Sequence, residues 1–295
     1  MAASMGAIAQ FGVGATATVD TKYELVGGDM GIREDPLHAS NGLTGSRLGD
    51  TSERVVQNTI RPGTTSSLIL EPNSVELDVW LPHILGTAEN ADVFALAETL
   101  TAFYIALDKV TKVEVYNNCI VSKATFQSSQ GQPMQMILDV EALTMTVGNA
   151  GTFPSLSLNV ALGPYMHSDC AFALGGSAYK FKSWKVEIDN VLDTERFFNS
   201  QSRQSLPTKD CIVTWTFDGP YGDNSALYGL AVTGVAVSAT FTISGRSCAF
   251  SSPKVSFPRQ SPVLAGKEEI MLPLVGIARK SGSTAKFSVT NDSAA

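Results

Sequence analysis

The chain has 295 residues, of which 44% are hydrophobic and 17% charged, with a formal net charge of −7. That length allows one large or two ordinary domains with real cores, and the composition excludes an intrinsically disordered chain. The acidic balance excludes a protein that grips nucleic acid through its phosphates, and no run approaches the ~18 apolar residues of a membrane helix.

The opening "MAASMGAIAQFGVGATATVD" (1–20) carries no Lys or Arg before Lys22. A secretory signal needs a basic start followed by a compact apolar core, so this Gly/Ala-rich stretch reads as a flexible N-terminal arm. Its "GVGATA" lacks a strand–turn–helix context and has Ala17 where a dinucleotide loop needs its third glycine. β-structure is expected from residue 21, starting with "TKYELV", where Tyr23 and Leu25 alternate with Lys22 and Glu24. Residues 26–65 break that rhythm. They are Gly-, Asp- and Ser-rich with scattered apolar anchors, and predict one long loop; loops of that length are usually functional or disordered.

"SSLILEPNSVELDVWLPHILG" (66–86) then reads as a strand, a proline and a short amphipathic helix over 74–85. Asn73 and Glu76 have the spacing of a capping box. Leu77, Trp80 and Leu81 fall on one helical face and are expected in the core. Pro82 removes a donor and predicts an end or a kink. "KVEVYNNCIVSKATF" (112–126) restores period-two alternation around Val113, Val115 and Ile120, with one face buried and the other wet. Residues 149–177, Gly- and Pro-rich, fall near the middle and read as a linker. After it, "YKFKSWKVEID", "CIVTWTF", "AVSATFTI", "KVSF" and "AKFSVT" repeat the alternating habit.

The second half has the grammar of the first. "CIVTWTFDGPYGDNSALYGL" runs strand, Pro/Gly turn, Asn-Ser and a short helix over about 224–230, as 66–86 does. "KYEL" (22–25) matches "KVEI" (185–188), and both halves close on strand, Gly-containing loop, strand, with Phe126 matching Phe257. The spacing between matched segments shrinks along the chain, which points to a duplication with unequal loops rather than a fixed-period solenoid. The expected fold is therefore α+β and mainly β. It comprises a first β-domain over 21–148 and a second over 178–295, each a sandwich or partial barrel with one short helix on its sheet.

Motifs of chemistry are weak. "HSDC" (167–170) gathers potential metal ligands without a second cluster. His38, His83 and His167 are scattered, and no G-x-S-x-G, H-E-x-x-H or Walker pattern occurs. Paired acids such as Glu34-Asp35 and Glu268-Glu269 read as solvated charge. Cys119, Cys170, Cys211 and Cys248 lie far apart without a C-x-x-C and read as reduced thiols. No catalytic residue, metal or cofactor is assigned, and an enzyme such as a two-domain hydrolase is the least supported class.

Taken in order, these segments resemble the two-domain tail tube proteins of tailed phages. "SLILEPNSVELDVWLPHILG" is similar to that family's "EP…ELD…LP.ILG" string. "FYIALDKVTKVEVYNNCIVSKATFQSSQGQPMQMILDVEA" and "VEIDNVLDTERFFNSQSRQSLPTKDCIVTWTF" are similar to its central pattern and the opening of its second domain. The resemblance implies a structural virion protein, the major tail tube subunit, made in the host cytoplasm and carried in the virion tail. Its trimeric, pseudo-hexameric rings would stack into the conduit for DNA ejection. Implied partners are further copies of itself, the tape measure protein, the tail terminator and distal tail proteins. DNA would pass without specific binding, and no membrane is involved. Lys22, Glu24, Lys185, Glu187 and Asp189 are then candidates to face the lumen, and Arg33, Arg47, Arg54 and Arg61 to reach the next ring from the long loop. Another virion β-protein, a terminator or decoration protein, is the alternative.

Overall fold

A computed structural model describes residues 9–15, 19–37, 57–149, 153, 162–221, 234–258 and 270–293. The first half supplies β1 (Gln10–Gly14), β2 (Thr21–Tyr23), β3 (Gly27–Leu37), β4 (Gln57–Leu70), α1 (Ser74–Leu85), β5 (Val93–Ala95), β6 (Phe103–Asp108), β7 (Lys112–Ser129), β8 (Gln135–Glu141) and β9 (Thr144–Asn149). The second supplies β10 (Cys170–Leu174), β11 (Ser177–Tyr179), β12 (Ser183–Asp189), β13 (Ile212–Pro220), β14 (Val235–Ile243), β15 (Arg246–Ser256), β16 (Met271–Ala278) and β17 (Ser288–Asp292). The protein is mainly β, and its strand pairs are antiparallel.

One layer runs β3-β4-β8-β7-β12-β13-β16-β15. The other holds β2-β1-β6-β7-β9 from the first half and β11-β10-β14-β15-β17-β5 around the second. β7 and β15 belong to both layers. In β7 the change of partner falls near Asn118, whose φ is 52°, and near a register shift at Val121/Lys123. Such a bulge bends a strand and increases its twist.

Alternation fills the space between the layers. Trp184, Trp215 and Phe217 from β12 and β13 meet Phe172, Phe241 and Phe250 from the facing strands and Phe287 just before β17. Phe126 of β7 packs on Phe250 of β15, with ring centroids 4.8 Å apart, so the two halves share one core. α1 is buried in that core. Asn73 caps it, accepting at Oδ1 from the Glu76 N–H at 3.0 Å, while the Asn73 N–H donates to Glu76 Oε2 at 3.0 Å. Gly86 ends it at φ 89°, where a Cβ would sit 2.3 Å from the Thr99 carbonyl oxygen. The helix runs through Pro82 rather than ending there, because Ile84 and Leu85 beyond it are fully buried and the cap at Gly86 stops it instead.

The pairing scheme occurs twice. β1 pairs with β2 and β6 as β10 pairs with β11 and β14, Phe11 facing Tyr23 as Phe172 faces Tyr179. The order β3-β4-β8-β7 recurs as β12-β13-β16-β15, and β9 lies on β7 as β17 lies on β15. Even the register shifts recur: Phe103 to Ile105 of β6 faces the longer step Tyr116 to Cys119 of β7, as Val235 to Val237 of β14 faces Ser252 to Val255 of β15. Among the described strands two pairings fall outside the scheme, β7 with β12 and β5 with β17, and these join the halves.

Several sequence expectations are corrected. The described part of 26–65 is not a loop: β3 and β4 form a long hairpin whose backbone pairing needs no apolar alternation to hold it. The arm over 1–20 contains β1, with Phe11 and Val13 buried; Gly12 between them and Gly14 after them dilute the hydrophobic signal. The linker over 149–177 contains β10, with Phe172 and Leu174 buried among small neighbours. "KYEL" and "KVEI" are not equivalent either, since Tyr23 lies on β2, the counterpart of β11, while Val186 and Ile188 lie on β12, the counterpart of β3. The helix expected over 224–230 lies outside the described residues. Leu77, Trp80 and Leu81 are each 0% exposed.

Candidate assembly surface

In β12 the residues Trp184, Val186 and Ile188 point into the core, so Ser183, Lys185, Glu187 and Asp189 point the other way. Register extends this polar face across the layer. Glu187 stands between Thr125 and Thr214, Lys185 between Gln127 and Thr216, and Asp189 between Lys123 and Ile212. Asp139 continues the last row on β8 and accepts from the Ser67 hydroxyl. Asp218 joins it on β13, while Val275 and Ile277 on β16 are about half exposed. Over β8, β7, β12 and β13 the acids named outnumber the bases among the described residues: Asp139, Glu187, Asp189 and Asp218 against Lys123 and Lys185.

The lysines are held. Lys123 Nζ lies 3.0 Å from Glu187 Oε1 and Lys185 Nζ lies 3.3 Å from Oε2, so one carboxylate is bracketed by two ammonium groups. Partial burial works to raise the Glu187 carboxyl. The hydrogen bond from Lys123 and the charges of Lys185 and Lys123 outweigh it and hold the group below its ordinary value. The result is a polar wall of fixed, mostly cancelled charge with an acidic remainder.

Lys22 and Glu24 do not share this face. They lie on and just after β2, in the other layer, and Glu24 stands near the start of α1. There burial pushes the Glu76 carboxyl up, the Asn73 N–H holds it back, and the Glu24 charge adds to the rise. Of the four arginines expected on the long loop, Arg33 and Arg61 face each other across the β3–β4 hairpin, and Arg47 and Arg54 lie outside the described residues. Arg61 is engaged within the chain, donating to Glu195 at 2.8 and 2.7 Å beneath the Phe197 ring.

Residues that single-sequence reasoning passed over hold the halves together. Asn190, at the end of β12, donates from Nδ2 to the carbonyl oxygens of Ile84 and Val121, both at 3.1 Å. Asn291 on β17 donates to the Ser74 carbonyl oxygen at 2.8 Å and to Asp78, and Arg246 reaches the Ser74 hydroxyl at 3.4 Å. Both ends of α1 are thus held by the second half. Buried Arg203, in the connection from β12 to β13, pairs with Glu141 and reaches the Pro62 carbonyl oxygen of the first half. A buried, paired arginine between two segments costs desolvation and is retained where geometry must be fixed. Each of these side chains spans a large separation in sequence, so no local motif marks it.

His167 is bound into the turn before β10, with Nδ1 3.2 Å from the Ser128 hydroxyl and Nε2 3.2 Å from the Phe181 carbonyl oxygen. Among the described residues no group of His, Cys, Asp and Glu is arranged to hold a metal ion, and Cys119, Cys170, Cys211 and Cys248 are free thiols. The family model described as phage tail tube protein matches residues 3–278. No curated protein matches the chain.

Proposed function

Because the chain belongs to the phage tail tube protein family, we propose that it is the major tail tube subunit, a tandem repeat of two tube domains whose copies close into rings and stack into the conduit for DNA ejection. It is a structural component of the virion tail. The observation that carries the finer reading is the eight-stranded layer in which the halves lie side by side, β3-β4-β8-β7 continuing directly into β12-β13-β16-β15. A sheet with open ends is a template for further strands. Bringing such layers end to end around an axis closes a barrel and removes the edges. Three copies would give six domain-sized units, the trimeric, pseudo-hexameric ring, by the rotational repetition that builds closed oligomers.

The polar face of that layer would line the lumen. DNA held in transit must not stick, and each uncompensated Lys or Arg on the wall would add affinity by releasing counterions. Lys123 and Lys185 are compensated by Glu187, and the remaining acids repel phosphate. The tape measure protein would fill the same lumen before ejection, and the tail terminator and distal tail proteins would meet the tube's ends. The chain would be made in the host cytoplasm, consistent with its free thiols.

The test is an electron-microscopy reconstruction of tubes from virions or self-assembled protein. The reading expects stacked three-chain rings with Glu187, Asp189 and Asp218 on the inner wall. Finding these acids on the outer surface, or a lumen lined by unpaired Lys and Arg, overturns it.

A further inference from the structure

A cleft of about 530 Å³ lies where the two halves of the chain meet. Its size falls in the range of ligand pockets, roughly 300–1,000 Å³, which favour the boundary between domains. One wall is the segment after β5, with Leu96, Ala97 and Leu100; the other is the entrance to β13 and the turn before β17. Three contacts fix these walls. The Ala97 N–H donates to the Leu85 carbonyl oxygen at the end of α1, at 2.8 Å. The Thr208 hydroxyl of the second half donates to the Glu98 carbonyl oxygen of the first at 3.1 Å. Ser281 and Thr284 pair across a tight turn at Gly282, whose φ is 61°.

Among the described residues, five charged side chains line the cleft: Glu98, Lys209, Asp210, Lys280 and Lys286. Their partners set them apart. Lys209 Nζ lies 3.3 Å from Asp193 Oδ1 and is compensated there. Asp210 Oδ1 is turned onto the backbone, accepting from the Cys211 N–H at 2.7 Å. Glu98 is exposed at the rim. Lys280 is exposed and forms no ion pair among the described residues. Lys286 is half-buried; its Nζ donates to the Cys211 carbonyl oxygen and meets no carboxylate among the described residues. By contrast, Lys109, Lys123 and Lys185 each face a carboxylate, at 2.9, 3.0 and 3.3 Å. An ammonium group has three donors, so Lys286 keeps two for a ligand. A cation drawn partly out of water without a counter-ion is costly, and an anion bound in the cleft would offset that cost.

We propose that this cleft binds an acidic peptide segment of a partner protein, its carboxylate taken by Lys280 and Lys286 and its apolar side chains laid on the wall of Leu96, Ala97 and Leu100. Charge-assisted hydrogen bonds orient the segment, and the apolar wall supplies area. A bare phosphate would satisfy the lysines but leave that wall and most of the volume unused. Glu98 and Asp210 repel a run of further negative charge, which disfavours nucleic acid and selects a segment with one carboxylate between apolar residues. The proposal goes beyond the tube reading and does not depend on ring closure, because every wall of the cleft comes from one chain.

Cys211 lines the cleft and reports its occupancy, while Cys170, part-buried on β10, is the internal control. The experiment follows alkylation of both thiols in the full chain by iodoacetamide, read by mass spectrometry, as acetyl-Leu-Glu-Leu-amide is added; calorimetric titration measures the same binding without the thiol. The glutamate peptide should slow the reaction of Cys211 and leave Cys170 unchanged, with weaker protection at higher salt. Its glutamine analogue should protect little. Lys280→Met, at an exposed and unpaired side chain, is expected to melt with the parent and to raise the midpoint about three- to tenfold, the reach of one charge-assisted contact; Lys286→Met should raise it further. Equal protection by the glutamine peptide, an unchanged midpoint in both variants, or a Kd weaker than about 1 mM by both measurements overturns the proposal. Protection by inorganic pyrophosphate but not by the glutamate peptide overturns the peptide assignment and gives the lysines to a phosphate anion.

Discussion

Replacing Trp80 tests whether α1 is the packing centre of the first half. The side chain is 0% exposed, and its ring centroid lies 6.4 Å from Phe11, 5.7 Å from Tyr23 and 5.6 Å from Phe103. It thereby ties the helix to β1, β2 and β6 at once. Trp80→Ala removes the largest fully buried side chain there and leaves three rings facing a void, so a loss of about 3–5 kcal/mol is expected, toward the upper end because each ring pair adds roughly 0.5–1.5 kcal/mol beyond area burial. The indole Nε1–H has no acceptor among the described residues, a burden of about 1–3 kcal/mol that the native fold carries. Trp80→Phe keeps most of the ring contacts and sheds that burden, so it should cost less than about 1.5 kcal/mol. The assay is urea unfolding of the monomer with a parallel thermal melt, where roughly 2–4 °C per kcal/mol separates the variants. A Trp80→Ala protein that unfolds with the parent would show that the helix is not a packing centre. A Trp80→Phe protein as unstable as the alanine variant would show that the indole N–H has a partner and that the ring is held by it.

The bracketed carboxylate on the polar face should register as a modest coupling. A double-mutant cycle of Lys123→Met and Glu187→Gln is expected to give about 0.2–1 kcal/mol, shrinking as salt rises; because the folded carboxyl lies below its ordinary value, this contribution is present above the unfolded pKa and lost as pH falls through the folded one, and a coupling unchanged from low to high salt would contradict the ion-pair account. His83 should make the fold acid-sensitive: burial lowers its pKa, only partly offset by its Nδ1 at 3.1 Å from the Thr101 carbonyl oxygen, so its stabilisation is complete above the ordinary value of about 6.5 and lost as pH falls below it. Melting temperatures from pH 8 to 5.5 should fall less steeply for His83→Gln than for the parent, and parallel curves would remove His83 as the cause.

What the sequence made legible was local. The capping box of α1 needs only Asn73 and Glu76 three apart, and the alternation of β12 needs only seven residues, so both are readable without tertiary information. β1, β3 and β10 were missed for a common physical reason. Their inward residues, such as Phe11, Met30 and Phe172, are separated by Gly, Ala or Asp, so hydropathy contrast is low even though the backbone pairs normally. The four-residue likeness of "KYEL" to "KVEI" misled because it ignored pairing context, which instead equates Tyr23 with Tyr179. The polar face over Lys185, Glu187 and Asp189 followed from period two. Its extension to Lys123, Asp139 and Asp218 required register, which no single strand encodes. Asn190, Arg203 and Asn291 were invisible because their partners lie in the other half of the chain.

Covalent linkage changes what the joint between the two halves must tolerate. The joint inside the chain forms once, at the effective concentration that covalent linkage imposes, and it can bury polar groups permanently: Asn190, Arg203 and Asn291 are all at most 6% exposed. The described edge strand β9 meets water as isolated edges do: it is short and places Thr144, Thr146, Gly148 and Asn149 around one exposed valine, Val147. If copies of this chain close into rings as proposed, their dissociation should return chains whose two halves still share the core through Phe126 and Phe250.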